Sequence, residues 1–501
     1  MTQHTKFLIT TAMFSALSTS AFADVTATQV WESFKSQIGT YGAVTAQEVV
    51  TGGTVQVSDI SMLSDVEGAT TLSKIEGTIT FREIGDGTVA IELPATLNMT
   101  SGARVEGAEP FAVSMKIAQQ GTSIIASGSA DAISHAFSAP QITYTLSSIT
   151  VEGQPVTGSM DLGVTDMIGT WTSSGSDIHR YVSDYTMGTM TIKGQFAEGG
   201  TPNQFAIDAS LSDLTAKSDS SVPEGFSQLA PEKMFSSGFG VSADMIYGPV
   251  TYTMQVTAEG QTTQVNGSIA NGTFGIGMDG EDVRYQTSAE QMDVSGAIPG
   301  LPFPPVEVHM DSSSFDFAMP LGQSSEAKDF DFGVAMKGFT VSDFLWAMVD
   351  PAQQLPRDPA NVVLDIDGKA NWLVNIFDPE AMANIGPNAP GLVESLTLKA
   401  LEISVAGAKL TGSGGFTFDN NDLQTFGGIP RPMGAIDLAM SGGITLLDKL
   451  TAMNLVPQQQ AMGIKMMSGL FAKPGTGPDT LTSKIEIDPS GGILANGQKI
   501  Q

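Results

Sequence analysis

The sequence predicts a mainly β protein: one or more large, curved antiparallel sheets built as a meander of long hairpins, with a few short amphipathic helices and a C-terminal helical hairpin. Three observations predict this class. Apolar and polar residues alternate at every second position along most of the chain. Asp-Gly and Glu-Gly pairs separate several of the alternating runs, as in hairpin turns. Apolar residues at helical spacing occur only in a few short segments.

The alternation is already clear in the first run. Ile79 and Phe81 share one face of a predicted strand, Thr78 and Thr80 share the other, and a turn follows at 86–87. Strands with one apolar and one polar face are typical of antiparallel sheets with one wet side, and long strands make such a sheet twist. Equivalent runs recur at 89–99, 111–117, 142–146, 205–211, 250–256, 274–278, 306–310, 315–319, 330–336, 364–366, 372–376, 401–405, 410–418, 436–440 and 485–487.

A few helices interrupt these strands. Thr26 and Gln29 suit a capping box at the start of the first helix. Thr340 and Asp343 form a similar start for a second helix, which Pro351 ends. Both segments carry an apolar stripe at helical spacing.

The last helices form the hairpin predicted over residues 446–471. Thr445 and Asp448 begin its first arm, and Pro457 opens the second. The polar stretch 218–238 is the best candidate for a joint. We therefore divide the chain into a signal peptide (1–23), a lobe with an N-terminal helix and a β-meander (24–222), and a C-terminal β-rich lobe with inserted helices and the helical hairpin (223–501).

The N-terminus predicts export. Lys6 precedes an apolar run over 7–17, and Ala21-Phe22-Ala23 fits a cleavage site after Ala23. The run is too short for a membrane anchor, which needs roughly 20 apolar residues, and no later stretch reaches that length. We expect a protein that is cleaved after export and resides in the periplasm of a Gram-negative envelope.

Composition excludes several functions. The chain has no cysteine, so disulfides, thiol nucleophiles and thiolate metal sites are excluded. The net charge is -30, and removal of Lys6 with the signal peptide makes it -30 - 1 = -31. Such a charge repels nucleic acid and anionic lipid headgroups. Because charged residues make up only 15% and hydrophobic residues 41%, the chain is expected to fold rather than to remain disordered.

Catalytic patterns are weak, and we expect a protein that is not an enzyme and needs no cofactor. His135, His179 and His309 are not at a metal-ligand spacing and are interpreted as ordinary surface or loop residues. Ser325 and Lys328 match the Ser-x-x-Lys pattern of acyl enzymes only by chance, because no companion motif is present.

Two acidic clusters offer oxygen ligands for calcium without a complete calcium loop. They lie at 365–368 and 419–422, and turn or strand-end chemistry explains them better. A hydrolase that uses paired carboxylates stays open, but acids are too plentiful for their presence to favour it.

Methionine is the unusual residue of this chain, with 25 copies. Methionine is flexible and polarizable, and it is common on surfaces that accept varied apolar partners. The functional interpretation is a groove that holds acyl chains, whereas a packed sheet core with methionine as filler is the simpler one. The candidate groove-lining residues are Met99, Met115, Met254, Met278, Met310, Met319, Met336 and Met440.

Two segments carry a resemblance to a family. The first is the helix with Trp346, followed by Leu-Pro-Arg-Asp-Pro-Ala at 355–360 and the strand start at 363–368. The second runs from Pro-Arg-Pro-Met-Gly at 430–434 through the helical hairpin to 479–484 and 495–498. Both resemble an exported bacterial family catalogued as domain of unknown function 2125, and the resemblance covers the mature chain, more loosely before Ser218. The resemblance implies no known activity and no catalytic residues.

The preferred hypothesis is a non-catalytic periplasmic envelope protein that binds lipid or another apolar ligand in a curved β-sheet groove. The alternative is a structural or interaction scaffold with an envelope protein partner and no ligand. A carboxylate-based hydrolase and an outer-membrane β-barrel are less favoured, the barrel because 4 Trp and 7 Tyr are too few for aromatic girdles. No nucleic-acid partner and no transmembrane helix after signal cleavage are expected.

Overall fold

The computed structural model describes residues 24–66, 69–105, 110–151, 154–197, 201–226, 229, 233–297, 304–385 and 389–500. The predicted signal peptide, residues 1–23, lies outside the described residues. The helices are α1 (Ala27–Gly39), α2 (Asp343–Val349), α3 (Pro379–Asn384), α4 (Gly443–Ala452) and α5 (Gln458–Phe471).

The strands outnumber the helices, which confirms the predicted mainly β class. They are β1 (Ala43–Thr51), β2 (Thr54–Val66), β3 (Ala69–Glu76), β4 (Ile79–Glu83), β5 (Val89–Glu92), β6 (Thr96–Val105), β7 (Phe111–Gln120), β8 (Ser123–Ser129), β9 (Ala132–Val151), β10 (Gln154–Ser174), β11 (Ile178–Ala197), β12 (Gln204–Pro223), β13 (Gly240–Tyr247), β14 (Val250–Ala258), β15 (Gln261–Ile269), β16 (Asn271–Met278), β17 (Asp282–Gly296), β18 (Val306–Pro320), β19 (Lys328–Val341), β20 (Ala360–Trp372), β21 (Gly391–Val405), β22 (Ala408–Asp419), β23 (Arg431–Ser441), β24 (Lys473–Pro474), β25 (Thr480–Ile487), β26 (Ile493–Ala495) and β27 (Gln498–Lys499).

All of these strands join one antiparallel sheet. Near the N-terminus, β4 and β3 together span the length of β2, and β8 and β7 together span β9. From β9 to β12 and from β17 to β23 each strand pairs with the next one along the chain. Between these two meanders, β13 pairs with β16 and β14 pairs with β15. At the predicted lobe boundary, β12 pairs with β11 on one side and with β13 and β14 on the other, so the same sheet runs through both predicted lobes.

A line of irregular positions crosses the middle of this sheet, and we call it the crease. Its markers are Asp166 in β10, Asp213 in β12, Gln291 in β17 and Gly338 in β19, with φ of 53°, 55°, 48° and 69°. Each has left-handed torsions inside a strand, where such a residue bends the chain and acts as a bulge. A Cβ added to Gly188 in β11 would lie 3.1 Å from Cβ of Asp166, so the strand beside the crease has little room for a side chain there.

The crease shifts the alternation by one residue without turning the apolar face over. In β12 the apolar positions are odd-numbered up to Leu211 and even-numbered from Leu214, which is buried. Contact across the crease shows the common face: the Ser313 hydroxyl lies 3.9 Å from Sδ of Met292, although the two residues lie on opposite sides of the line. The apolar face therefore continues across the crease at these strands.

The buried core lies at the N-terminal end of that face. Helix α1 begins with the predicted capping box between Thr26 and Gln29 and places Val30 and Trp31 onto the sheet. Trp31 packs against Phe81 with a ring separation of 5.7 Å. The core also includes Val55, Val57, Val89, Ala126 and Ile133.

The other described helices leave the apolar face largely uncovered. Helices α2 and α3 bury no residue, and α4 and α5 bury only Leu447 and Ala461. Most apolar side chains between β9 and β25 are consequently half-buried rather than enclosed. Among the helices described, none has the length and apolar character needed to cross a bilayer.

Two predicted helix starts are wrong, and both errors have a structural cause. Thr340 stays in strand β19, so α2 begins at Asp343 with Ser342 as its cap residue. Helix α4 begins at Gly443 instead of near Thr445 and Asp448, because Gly442 has left-handed torsions with φ of 70°. The predicted helical hairpin itself is confirmed.

Candidate functional site

The apolar face is best organised where β16 to β21 lie side by side. Strand register places Ile276, Tyr285, Phe317, Phe332 and Ile366 in one row across five strands. A second row contributes rings that interlock with the first. Phe274 and Tyr285 meet edge to face at 5.5 Å, and Phe315 lies 5.6 Å from Tyr285 and 5.8 Å from Phe332. Edge-to-face contacts of this kind fix the ring orientations.

Several aromatic rings lie flat against a glycine in the neighbouring strand. Tyr252 is paired with Gly267, and Phe330 with Gly368. A Cβ added to either glycine would collide with the partner ring. Because the glycine leaves space, the ring covers the backbone of the next strand instead of standing away from the sheet. At these positions the apolar face therefore has no aromatic ring that projects away from the sheet.

An apolar pocket of about 320 Å³ lies at one edge of this region. Phe317, Met319, Phe330 and Phe332 line it from the sheet, together with Trp372. The indole Nε1 of Trp372 donates a hydrogen bond of 2.7 Å to the carbonyl of Pro320, which fixes the ring. Residues 390–393 also line the pocket. Small-molecule sites usually have volumes of about 300–1,000 Å³, so this pocket is at the lower end of that range.

The eight candidate methionines are spread over the apolar face and do not converge. Met99 and Met115 are direct cross-strand neighbours, and Met310 is opposite Met292. Met254 lies between Ile207 and Val265.

The remaining four methionines lie on the other side of the crease. Met278 and Met319 flank Val283 on its two sides, and Met336 and Met440 belong to one row. Only Met319 among the eight lines the apolar pocket described above. Aromatic residues define that pocket instead, and the number of methionines in the sequence does not indicate them.

A second cavity lies on the opposite, polar face, where the sequence predicts no site. Its volume is about 970 Å³, and Lys337, Lys399, Lys473 and Lys484 line it. These lysines are far apart in the chain, so no local motif could indicate them. Sheet register brings them together across β19 to β25.

The interpretation of all three histidines as surface or loop residues is wrong for one of them. His135 is buried in strand β9, not a surface or loop residue, and its ring stacks on Trp171 at 4.3 Å. Burial lowers the pKa of His135 to about 4. On the polar face His309 lies between Asp293 at 2.7 Å and Asp311 at 3.2 Å, and these hydrogen bonds raise its pKa.

The carboxylates of the two acidic clusters pair with neighbouring lysine and arginine side chains. Lys399 lies 2.9 Å from Asp367 and 3.8 Å from Asp365, and Arg431 pairs with Asp419 and Asp422 at 2.7 and 3.1 Å. Asp422 also accepts backbone hydrogen bonds from Gln424 and Thr425, as a turn residue does.

Two further patterns of the sequence have a structural outcome. Lys328 of the Ser-x-x-Lys match pairs with Glu281, so its ammonium is engaged away from Ser325. Within the described parts of the chain, no group of three metal-ligating side chains is present.

The loop after α2 is held by its own residues. The Asp350 carboxylate accepts a 2.7 Å hydrogen bond from the amide of Leu355, and Arg357 pairs with Asp343. Backbone hydrogen bonds from Gln354 and Leu355 lower the pKa of Asp350. The loop also contacts α4, since Lys449 donates to the carbonyl of Gln354 at 2.8 Å.

The helical hairpin is attached to the sheet by Asp479 and Asn496. Asp479 accepts hydrogen bonds from the amides of Ile444 at 3.3 Å and Thr445 at 2.8 Å, and so caps α4 from a distant strand end. Asn496 accepts from the Lys484 amide and donates to the Phe471 carbonyl, which ties the end of α5 to β25.

These features define a class of protein: a single creased antiparallel sheet whose apolar face is covered, among the described helices, mainly by α1 at its N-terminal end. Residues 242–489, from β13 to just past β25, match the model of the family described as an uncharacterized protein conserved in bacteria (DUF2125). The match confirms the resemblance over this span. The match does not extend to the first 241 residues or to 495–498. No curated protein and no solved structure matches the chain.

Proposed function

We propose that this protein is a non-catalytic envelope protein of the periplasm that holds a lipid acyl chain against the apolar face of its sheet. The observation that carries the proposal is the uncovered apolar face with its aromatic-lined pocket. A side chain such as Phe332 or Ile366 is half-buried there, with no described helix above it.

The physical argument rests on the area left exposed. Burial of apolar surface contributes about 25 cal/mol per Å², so a continuous apolar face favours a partner that covers it. Monomeric proteins rarely expose apolar patches larger than a few hundred Å² without a function. The face spans many strands, which suits a long apolar chain better than a compact ligand.

The headgroup preference follows from charge. The chain carries -30 overall, and this charge disfavours an anionic headgroup near the sheet. We therefore expect a neutral or zwitterionic lipid, with its acyl chain on the apolar face and its headgroup in water. The predicted signal peptide is consistent with a compartment bounded by lipid.

The test is to express the full chain with its own signal peptide and to purify the protein from the periplasm without detergent. Native mass spectrometry and solvent extraction should then find a bound lipid at a stoichiometry near one. Met319→Glu places a charge in the apolar pocket and should remove the lipid. Met348→Glu, on an exposed position of α2, is the matched control and should retain it. Wild-type protein that is consistently empty would contradict the proposal.

The scaffold alternative is favoured by one observation. Helix α5 presents Met462, Met466 and Leu470 outward, with exposed fractions of 65%, 68% and 61%. Their spacing of four residues forms one stripe, and outward apolar stripes occur at protein interfaces. A photo-crosslinking residue at position 466 that captures one protein at constant stoichiometry, from protein free of lipid, would favour the scaffold. The same residue at Gln459 provides the polar control.

A further inference from the structure

We propose that the polar face carries a second binding site, for a phosphate monoester of an organic molecule. The site is the cavity of about 970 Å³ bounded by Lys337, Lys399, Lys473 and Lys484, which we call the lysine cavity. It lies on the face opposite the proposed lipid groove. The two proposals are therefore independent, and either one survives the failure of the other.

The cavity exists because the sheet is irregular there. The register between β20 and β21 shifts at Asp365/Ile366, and the register between β21 and β22 shifts at Leu398/Leu401. The extra residues, Lys399 and Ala400, line the cavity. Bulges of this kind bend a sheet and redirect side chains, and they are frequent beside binding sites.

Side-chain size shapes the interior. Thr411, Ser413, Ala439 and Thr482 are short residues that line the part formed by β22, β23 and β25. The lysines, with longer side chains, come from β19, β21, β24 and β25. The result is a broad depression with small polar residues beside ammonium groups.

The lining of the cavity contains more lysines than acids, although the chain as a whole is acidic. Four lysines and two acids, Glu402 and Asp437, line it, in a chain with 23 basic and 53 acidic residues. Glu402 is already paired with Lys409 at 3.0 Å. An anionic ligand suits a lining in which lysines outnumber acids.

Two of the lysines have no acidic partner. Lys399 is paired with Asp367 and Lys484 with Glu486, at 2.9 and 3.0 Å. Among the ion pairs of the described residues, Lys337 and Lys473 are absent. Their ammonium groups are the ones that remain available to a ligand.

The chemistry of the lining selects the ligand class. Ammonium groups bind phosphate as point charges, and a phosphate monoester carries about -1.5 to -2 at pH 7, so an unpaired lysine of the lining suits it. Hydroxyls of Ser413 and Thr482 add hydrogen-bond donors. The cavity is near the upper end of the about 300–1,000 Å³ range of ligand sites, so it has room for an organic group in addition to the phosphate.

The phosphate could come from a soluble ester or from a lipid headgroup, and the experiment separates the two. Calorimetric titrations of the full mature chain at low salt use glycerol 3-phosphate, dihexanoyl phosphatidic acid and dihexanoyl phosphatidylcholine. Binding of glycerol 3-phosphate identifies a soluble ester. Binding of the phosphatidic acid without glycerol 3-phosphate identifies a lipid headgroup, provided that the phosphatidylcholine, which has no monoester, does not bind equally well.

The variants decide whether the lysine cavity is responsible. The double variant Lys337→Gln/Lys473→Gln should bind the active probe at least about tenfold more weakly, since the unpaired ammonium groups of the cavity are lost. Lys193→Gln/Lys217→Gln, which removes two exposed lysines of β11 and β12, is the charge-matched control and should bind as wild type does. Met319→Glu should also leave this binding unchanged. Absence of binding by every probe, or equal binding by both double variants, would overturn the proposal.

Discussion

At the scale of single residues, the alternation of the sequence predicts the strand face of His135 but not its burial. His135 shares its strand face with Ile133 and Phe137, so its place on the apolar side could be predicted from the alternation alone. Its burial depends on Trp171, which stacks on it from β10 and comes 36 positions later. Sequence spacing does not reveal that contact.

The buried imidazole predicts an acid-sensitive stability. Burial lowers the pKa of His135 to about 4, below its unfolded value of 6.5. Above pH 6.5 both states are neutral. As the pH falls toward 4, the unfolded state takes up a proton and the folded state does not, so folding stability is lost. The loss between pH 7 and pH 4.5 should be about 2–3 kcal/mol from this residue.

Urea unfolding of wild type and His135→Phe over that pH range measures this loss. The variant keeps a ring against Trp171 and cannot titrate, so its stability should fall by about 2–3 kcal/mol less than that of wild type. Parallel pH profiles for the two proteins would refute the assignment.

The glycine beneath an aromatic ring predicts a local packing cost. Gly267→Ala should destabilise the fold by about 1–3 kcal/mol, because the new methyl group collides with the Tyr252 ring. Gly463→Ala, in open space on α5, is the control and should stabilise by up to about 1 kcal/mol. Tyr252→Ala should relieve the collision, so a double-mutant cycle that finds no coupling would count against ring-over-glycine packing.

At the scale of elements, the sequence predicts the cap of helix α1 but not the cap of helix α4. The box of α1 is local, and Thr26 and Gln29 define it fully. The cap of α4 is not local, since it is the carboxylate of Asp479, 35 residues after Ile444. Helix α2 begins after Ser342 without a side-chain hydrogen bond to its cap. Strand β18 was predicted as two runs, 306–310 and 315–319, because the crease shifts its alternation by one position.

The remote cap of α4 predicts the effect of Asp479. Burial raises the pKa of this carboxyl, but hydrogen bonds from Thr445 and Ile444 outweigh it, and the pKa is lowered. The cap therefore contributes stability above pH 3.8, which is lost as the pH falls through the lowered value. Asp479→Ala should cost about 0.5–2 kcal/mol in thermal unfolding at neutral pH. Asp479→Asn should cost less, because asparagine keeps an acceptor and tolerates the left-handed φ of 49°.

The control for this prediction is Asp343→Ala, which removes an exposed aspartate paired with Arg357. It should change stability by less than about 1 kcal/mol, as exposed ion pairs do. If Asp343→Ala costs as much as Asp479→Ala, the cap has no special role.

At the scale of the whole molecule, sequence predicts the sheet and its two unlike faces but not the sites on them. Alternation is a local property, so strand type and face follow from it directly. The lysine cavity and the aromatic pocket depend on which strands become neighbours in the sheet. Lys337 and Lys484, for example, line one cavity because the order of the strands brings their positions to the same region. The methionines mark the apolar face, while Phe332 and Trp372 mark its pocket.

The central claim is that the apolar face of the sheet holds an acyl chain. Photo-crosslinking with a phosphatidylcholine that carries a diazirine in its acyl chain, followed by peptide mass spectrometry, tests it most directly. We predict labelled residues on the apolar face of β16 to β21, with Phe317, Met319 and Phe332 among them, and a loss of label in Met319→Glu. Label confined to the outward stripe of α5 or to the polar face, or no label at all, would contradict the claim.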